Sequence, residues 1–517
     1  MIDVLIVGAG PVGMFLAGEL RVGGANPLLV EATQGARSKS GSWGERGISG
    51  RSAQILTLRG LAPALADAAM TWSETVAAAW AEKSIDRLPP GADQILNFIQ
   101  LMREGKTGGH FGMFPLKADG ENSDRCYSMK QHMLEQVLAD WIGGLGVPLE
   151  TSVHVIGVRD EGSHAVADLA DGRSISARYI VGCDGGRSTV RKSAGFDFIG
   201  TPATYTGRVA SVEFADSSSF TAVGRGPNGL MNSLMVPGEV TIVEFDGTGP
   251  VDRNAPVTIE ELEGSMLRAA GVKATINTMD GGTRFSDNTR QVDNYRRGRI
   301  MVAGDAAHVH SPIGGQGVNM GLQDASNLGW KLASVVTGRA PESLLDTYNA
   351  ERHPIVAKVL RSTRAQVALM RPGPQVEALR EIMGDVMAIP EAHDYFSALV
   401  SNVNIDYAPD AAQPQVGRFI PSELRSVVSE HMPDGRFLLL DLANSYAIRD
   451  VVAGNHRVRY LPRQMPGASV GALLIRPDGY VAWVSSVGSA AGLAEALEQW
   501  GTAPHDDGAA SGRGGQV

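Results

Sequence analysis

Apolar residues run without interruption from Val4 to Val7, stop at Gly8, recur at helical spacing as far as Leu20, and run again from Pro27 to Val30 before Glu31. The two runs predict short strands covered on both faces, and the spacing between them predicts a helix, so the chain opens as strand, glycine turn, helix, strand. Related patterns return later: a helix over 131–145, an apolar strand over 178–182, another over 299–303, and long helices over 317–336 and 344–370. Between these pieces the period falls to two. Residues 208–214, 229–236 and 239–245 alternate between turn signals, which predicts an antiparallel sheet. From Trp72 to Pro115, frequent glycine and proline with Phe98, Phe111 and Phe114 on short alternating runs predict a further inserted sheet. Beyond Pro390 a separate unit is expected, with strands over 436–440, 470–476 and 480–484, a Pro477-Asp478-Gly479 turn and a closing helix to Trp500.

Composition narrows the class. At roughly 150 residues per domain, 517 residues make a multi-domain chain, and 43% hydrophobic with 20% charged residues excludes disordered and fibrous architectures. Lys and Arg total 46 against 56 Asp and Glu, and the net charge of −10 repels phosphate backbones and anionic lipid, so neither nucleic acid nor membrane is an expected partner. The N-terminus enters a strand at once, without the regions of a signal peptide, and the expected location is cytoplasmic. Cys126 and Cys183, with no Cys/His cluster at zinc spacing, imply neither a structural metal nor a disulfide framework.

Three motifs sit on this frame. Gly8-x-Gly10-x-x-Gly13 follows a strand and opens a helix, with Glu31 at the end of the next strand. Such glycines permit a tight turn, backbone approach to a pyrophosphate at a helix N-terminus, and close helix packing; an acid in the place of Glu31 suits a ribose without a 2′-phosphate, as in FAD or NAD. Asp184-Gly185-Gly186-Arg187-Ser188-Thr189-Val190-Arg191 fits D-G-x-x-S-x-x-R after the 178–182 strand. Gly304-Asp305-Ala306-Ala307-His308 ends the 299–303 strand, and Ser311-Pro312-Ile313-Gly314-Gly315-Gln316-Gly317-Val318-Asn319 then delivers a helix N-terminus. The acid can hold a polyol hydroxyl and the helix dipole can stabilise negative charge.

With these motifs in this order, the chain resembles the FAD-dependent aromatic hydroxylases of the p-hydroxybenzoate hydroxylase fold, the group A flavoprotein monooxygenases, and among them the bacterial hydroxylases of aromatic polyketides and rifampicin. The resemblance implies an α/β fold: a Rossmann-like FAD-binding domain in three pieces (1–71, 121–199, and 284–390 with linking helices), interleaved with a β-rich substrate domain (72–120 and 200–283), then a thioredoxin-like C-terminal domain (391–502) and a disordered tail (503–517). It implies that Gly8, Gly10, Gly13 and Glu31 hold the ADP half of noncovalent FAD, that Gly304 and Asp305 hold the ribityl chain with Gln131 near it, and that Pro312, Gly314, Gly315, Gly317 and Asn319 lie against the isoalloxazine, Pro312 and Gly315 being placed for catalysis. Asp184 would belong to a motif that touches FAD and influences the use of NADPH or NADH. The implied reaction is hydroxylation of a polycyclic phenolic substrate: NAD(P)H reduces FAD, O₂ adds to form a flavin C4a-hydroperoxide, and the ring attacks its distal oxygen. Baeyer-Villiger oxidation of a ketone and antibiotic-inactivating hydroxylation are the alternatives.

One spacing departs from the family. Many polyketide hydroxylases place an Arg-Gly seven residues before a second arginine that precedes Arg-Gly-Leu; Arg51 and Arg59-Gly60-Leu61 fit, but Arg46 stands only five residues before Arg51. The 41–50 loop is therefore expected to take its own path, Arg51 is expected at the cofactor, and Arg46 is either a flavin contact with a catalytic part or a solvated loop arginine. The C-terminal unit resembles the thioredoxin-like domain of phenol hydroxylase through Leu473 to Trp483, yet it contains no cysteine, so it is expected to be redox-inert and to serve packing or subunit contact, which leaves a homodimer open. His308 and His310 are expected to satisfy loop carbonyls, His110 with Phe111 and Phe114 to line a cavity or a sheet core, and Met231 or Met235 to be core or to face a planar ligand. Flavin-dependent halogenation would add a Trp-x-Trp-x-Ile motif, which is missing, and a protein retaining FAD only for binding would not need the flavin-loop glycines.

Overall fold

The computed structural model describes residues 2–34, 45–81, 100–101, 103–104, 109–116, 126–215, 224–232, 238–247, 249, 252, 255–465, 470–486 and 488–502. Its central sheet is parallel where the apolar runs predict it. Ile2–Val7 lies between Pro27–Glu31 and Ser174–Gly182, Leu149–Thr151 extends one side and Ile300–Val302 the other. Val4, Leu5 and Ile6 are fully buried in succession, which requires cover on both faces. Part of that cover is Pro11–Val22, packed between Gln131–Gly144 and Gln316–Val336 so closely that a methyl on Gly18 would fall 2.1 Å from the Trp141 ring and one on Gly329 2.4 Å from Cβ of Glu19. Parallel strands end on one edge, and Gly8, Asp184 and Gly304 each follow such an end, so the three motifs converge there.

A second sheet is antiparallel, in the order Gly224–Arg225, Gly229–Asn232, Glu239–Glu244, Thr206–Phe214, Ile276–Phe285. Side chains alternate between its faces. Met231, Val240, Ile242, Ala210 and Val212 belong to the large core that contains Leu262 and Met266 of the helix Ile259–Ala270, whereas Leu230 and Val243 cluster with Tyr205, Phe245 and Phe285. Met231 therefore is a core residue, and its neighbour Leu230 takes the other side; Met235 lies outside the described residues.

The inserted sheet expected from Trp72 to Pro115 is corrected at its start, while residues 82–99, 102 and 105–108 of it lie outside the described residues. Ala62–Ala81 is one helix, whose Leu65, Ala69, Trp72 and Val76 recur at helical spacing and are buried, and the Gly- and Pro-rich stretch after it masked that period. Among the described residues of this stretch, only His110–Phe111 and Phe114–Pro115 pair, as a hairpin of their own. The hairpin packs on the linking helices, with the Phe111 ring 4.5 Å from that of Phe396 and Leu369 and Met387 beside it, instead of joining the antiparallel sheet. Phe98 lies outside the described residues, as does the 503–517 tail.

Two helices, Pro374–Met387 and Pro390–Ser401, precede the sheet of the last unit, and the second carries Phe396. The unit itself is a four-stranded sheet, Val458–Pro462, Phe437–Asp441, Ala472–Ile475, Val481–Ser485, with the first pair parallel and the others antiparallel.

Candidate functional site

Gly8 has φ +104, and a methyl there would meet the Cys183 carbonyl oxygen at 2.5 Å; one on Gly13 would lie 2.0 Å from the oxygen of Gly8. The turn and helix can approach one another only without side chains. Gly10 differs. A methyl on it would meet no described atom within 4 Å, and Gly10 caps Pro11–Val22 with no side-chain hydrogen bond, so a helix N-terminus opens onto free space. Glu31 braces the turn: its carboxylate accepts from the Ala9 amide (2.8 Å) and from the Thr33 amide and hydroxyl (3.1 and 2.8 Å).

Across the edge, Gly304 turns the chain at φ +61 into a short 3-10 turn, Gly304–Ala306, that presents Asp305. The Asp305 side chain is accessible yet lies in a recess walled by protein; burial raises its pKa, opposed by the charges of His308 and Arg46. Arg46 thus lies close to Asp305. It lies on Glu45–Ile48, paired with Tyr127–Lys130, and its Nε and Nη2 donate to Oε1 of Gln131 at 3.2 and 3.1 Å, while Gln131 donates to Glu135 at 2.7 Å. Burial lowers the Arg46 pKa, opposed by Asp305, Glu239 and Glu135.

The loop from Ser311 closes the recess. Gly315 donates its amide to the carbonyl of exposed Pro312 at 3.1 Å, Gly314 and Gly315 have φ +101 and +65, and a methyl on Gly315 would again meet no described atom within 4 Å. Gln316–Val336 starts here with no side-chain cap, so Gly317 stands in the first turn of a second open N-terminus. His310 beside it is driven to a pKa of about 4 by burial, then by the charge of His308, against a backbone hydrogen bond at Ser311, and is neutral at pH 7. Burial also raises the Cys183 thiol, leaving no reactive thiolate.

Arg51, Asn319 and Asp184, like Glu31 and Gln131, have protein partners. Arg51 stacks on Phe419 at 3.8 Å and donates to the Val403 carbonyl and to Gln54, which directs it to the C-terminal part of the chain; from the same helix, Ser52 reaches the Asn319 carbonyl at 3.0 Å. Asn319 donates to the carbonyls of Gly47 (2.8 Å) and Gly315 (3.0 Å) and accepts from the Ser49 amide (3.2 Å), so its amide ties the Arg46 strand to the flavin-loop helix. Asp184 accepts from Ser188 and from the amides of Thr189 (2.7 Å) and Val190 (3.1 Å). That motif reaches the recess through Arg191, which donates to the carbonyl of Ala306 at 3.1 Å.

Sequence reasoning missed one wall. Tyr205, fully buried, shares a hydroxyl hydrogen bond with Ser311 at 2.7 Å and sets its ring edge-on to Phe245 and Phe285. Ile313 of the loop and Met113 join the same apolar cluster. Alternation in 239–245 placed Val243 and Phe245 on one face, but only the fold puts Ser311 against it.

The residues present fit a dinucleotide such as FAD: two uncapped helix starts face open space at Gly10 and Gly315, with Asp305 and Arg46 between the motifs. Known proteins agree with this reading. Residues 1–363 match the FAD binding domain family and residues 413–504 the aromatic-ring hydroxylase C-terminal family. A rifampicin monooxygenase of Streptomyces venezuelae is 33% identical over 93% of this chain and 95% of its own length. A 12-dehydrotetracycline 5-monooxygenase/anhydrotetracycline 6-monooxygenase of Streptomyces rimosus is 32% identical over 96% and 98%. The crystal structure of an aromatic hydroxylase from angucycline biosynthesis superposes with a TM-score of 0.81 at 33% identity, covering 98% of this chain and all of that one (100%).

Proposed function

The chain belongs to the FAD-dependent aromatic-ring hydroxylases and is a FAD-dependent monooxygenase, and we propose that it hydroxylates a polycyclic aromatic substrate of the polyketide type with NAD(P)H and O₂. Bound FAD, reduced by NAD(P)H, supplies the oxygen activation. The protein's part is binding and placement. The open amides at Gly10 suit a pyrophosphate, Asp305 offers a carboxylate to ribityl hydroxyls, and Arg46 with the Gln316–Val336 N-terminus gives the inner end of the recess a positive potential that favours an anionic ring edge.

The observation that carries the substrate class is the wall of Tyr205, Phe245, Phe285, Ile313 and Met113 beside the flavin loop. Aromatic faces and edges at this density suit a flat, fused-ring ligand, which they would orient by shape. The Tyr205–Ser311 hydroxyl pair locks the loop that carries Pro312 to that wall, so ring and cofactor are positioned by one unit.

The test is incubation of the purified protein with polycyclic phenols, NADPH and ¹⁸O₂. One labelled oxygen is expected as a phenolic hydroxyl, with the other in water. Label found only in a lactone or ester would replace this reading by ring-expanding oxidation of a ketone, and conversion that needs neither NAD(P)H nor O₂ would overturn it.

A further inference from the structure

Helix Asp346–Met370 carries two adjacent, oppositely charged and buried side chains that face different neighbours. Glu351 receives the Arg476 guanidinium from the C-terminal domain through two parallel bonds, Nη1–Oε1 at 2.6 Å and Nη2–Oε2 at 2.9 Å, and also accepts from Lys331 (2.8 Å) and Asn327 (2.6 Å) of the flavin-loop helix. Arg352, fully buried, donates to Asp324 at 2.8 Å. Asp324 in turn accepts from the Gly304 amide (3.1 Å) and shares a 2.7 Å hydrogen bond with Nε2 of His308, the two residues that bracket Asp305.

We propose that the C-terminal domain sets the affinity of the flavin site: Arg476 fixes Glu351, and through the adjoining Arg352 and Asp324 it holds the Gly304–His308 segment in its FAD-binding shape. Arg476, Glu351, Arg352 and Asp324 are positioning residues, and none of them needs to touch the cofactor. Two features make the link stiff at one end and dependent on its partners in the middle. Arg476 is enclosed by aromatic rings, with Trp500 and Trp330 centroids at 4.7 and 5.3 Å, and bonded to Asp478 at 3.0 Å, so it has little freedom. Pro354 sits inside Asp346–Met370 and lacks the amide that would bond the carbonyl four residues earlier, so the backbone around Glu351 and Arg352 is held less by its own helix and more by these ion pairs. The RGL and RPDG segments meet at the same junction, since Arg59 donates to the Pro477 carbonyl at 3.0 Å while pairing with Glu19 at 2.7 Å. This link requires FAD in the site but no particular substrate, so it stands apart from the choice of ring system.

The experiment is a fluorescence titration of full-length apoprotein with FAD, below the melting range of every variant. Arg476→Met is expected to weaken FAD about tenfold, within the usual span of coupling between sites, and Arg476→Lys to recover part of the loss. Leu473→Ala, buried in the C-terminal sheet and uncharged, is the reference for mere loss of stability: it should lower the melting temperature and leave FAD affinity near wild type. In combination with Asp324→Asn, the Arg476→Met loss should shrink, because the link is already cut. Unchanged FAD affinity in Arg476→Met would overturn the proposal, as would an equal loss in Leu473→Ala at the same fall in melting temperature. If Arg476→Met does not fold, Arg476→Lys and Glu351→Gln carry the same comparison.

Discussion

The recess proposed for the flavin and the junction beneath it share the helix Gln316–Val336 but are built by opposite means. At the recess, helix N-termini at Gly10 and Gly315 are left uncapped and open, and Asp305 stands accessible. At the junction, Asp324, Arg352, Glu351, Lys331 and Arg476 are buried and each has a charged partner. Unsatisfied donors facing free space are a binding site awaiting an anion, whereas paired charges in a dry interior are poor net stabilisers but costly to break singly. The difference separates groups that act on a ligand from groups that fix where those act.

Breaking the junction has the largest expected effect. Arg352→Ala leaves Asp324 buried with only His308 and the Gly304 amide, and should lower stability by about 3–5 kcal/mol in denaturant titration. A smaller and different effect is expected at the recess. Asp305→Ala should weaken FAD by about 1.5–3 kcal/mol, the worth of a hydrogen bond to a charged group, with little change in the stability of the apoprotein because Asp305 is accessible. A stability loss comparable to that of Arg352→Ala would erase the contrast.

Acid separates the two regions along the pH axis. His310 has a folded pKa of about 4 against 6.5, so its contribution is present above 6.5 and is lost as pH falls from there through about 4. Glu351, drawn to about 2 from 4.5 by Arg476 and Lys331 against the opposing effect of burial, gives stability that is present above 4.5 and lost towards 2. Stability measured against pH should therefore decline first from the recess and later from the junction, and His310→Gln should flatten only the upper limb. The smallest effect on folding is expected from Pro312→Ser, which loosens the loop whose Pro312 carbonyl accepts from Gly315. Its melting temperature should change little, yet more hydrogen peroxide should be released per NADPH oxidised. Full coupling in that variant would remove Pro312 from the positioning of the loop.

Much of the site was legible because its code is local. Gly8 and Gly13 are demanded by atoms within the turn they form, apolar runs without alternation mark strands covered on both faces, and the acid after Gly304 sits where its strand ends. The helix through Trp72 was misread for a local reason as well: its helical period is followed by a Gly- and Pro-rich stretch that dilutes it. Arg51, Asn319 and Asp184 carry contacts that their motifs do not announce. Each side chain has a protein partner besides the role its motif implies, and for Arg51 at Val403 that partner is remote in the chain.

What the sequence by itself determined is the order of elements, the two glycine-rich turns that leave helix N-termini open, and the acid and apolar strands that frame them, since these follow from sterics and periodicity within about twenty residues. The tertiary structure alone decided which polar side chains are held by protein partners, that the Tyr205 wall meets Ser311, and that Arg476 reaches Glu351 from 125 positions away. A hydrogen bond or ion pair depends on two groups meeting in space with water excluded, and the identity of the second group is not written in the neighbourhood of the first.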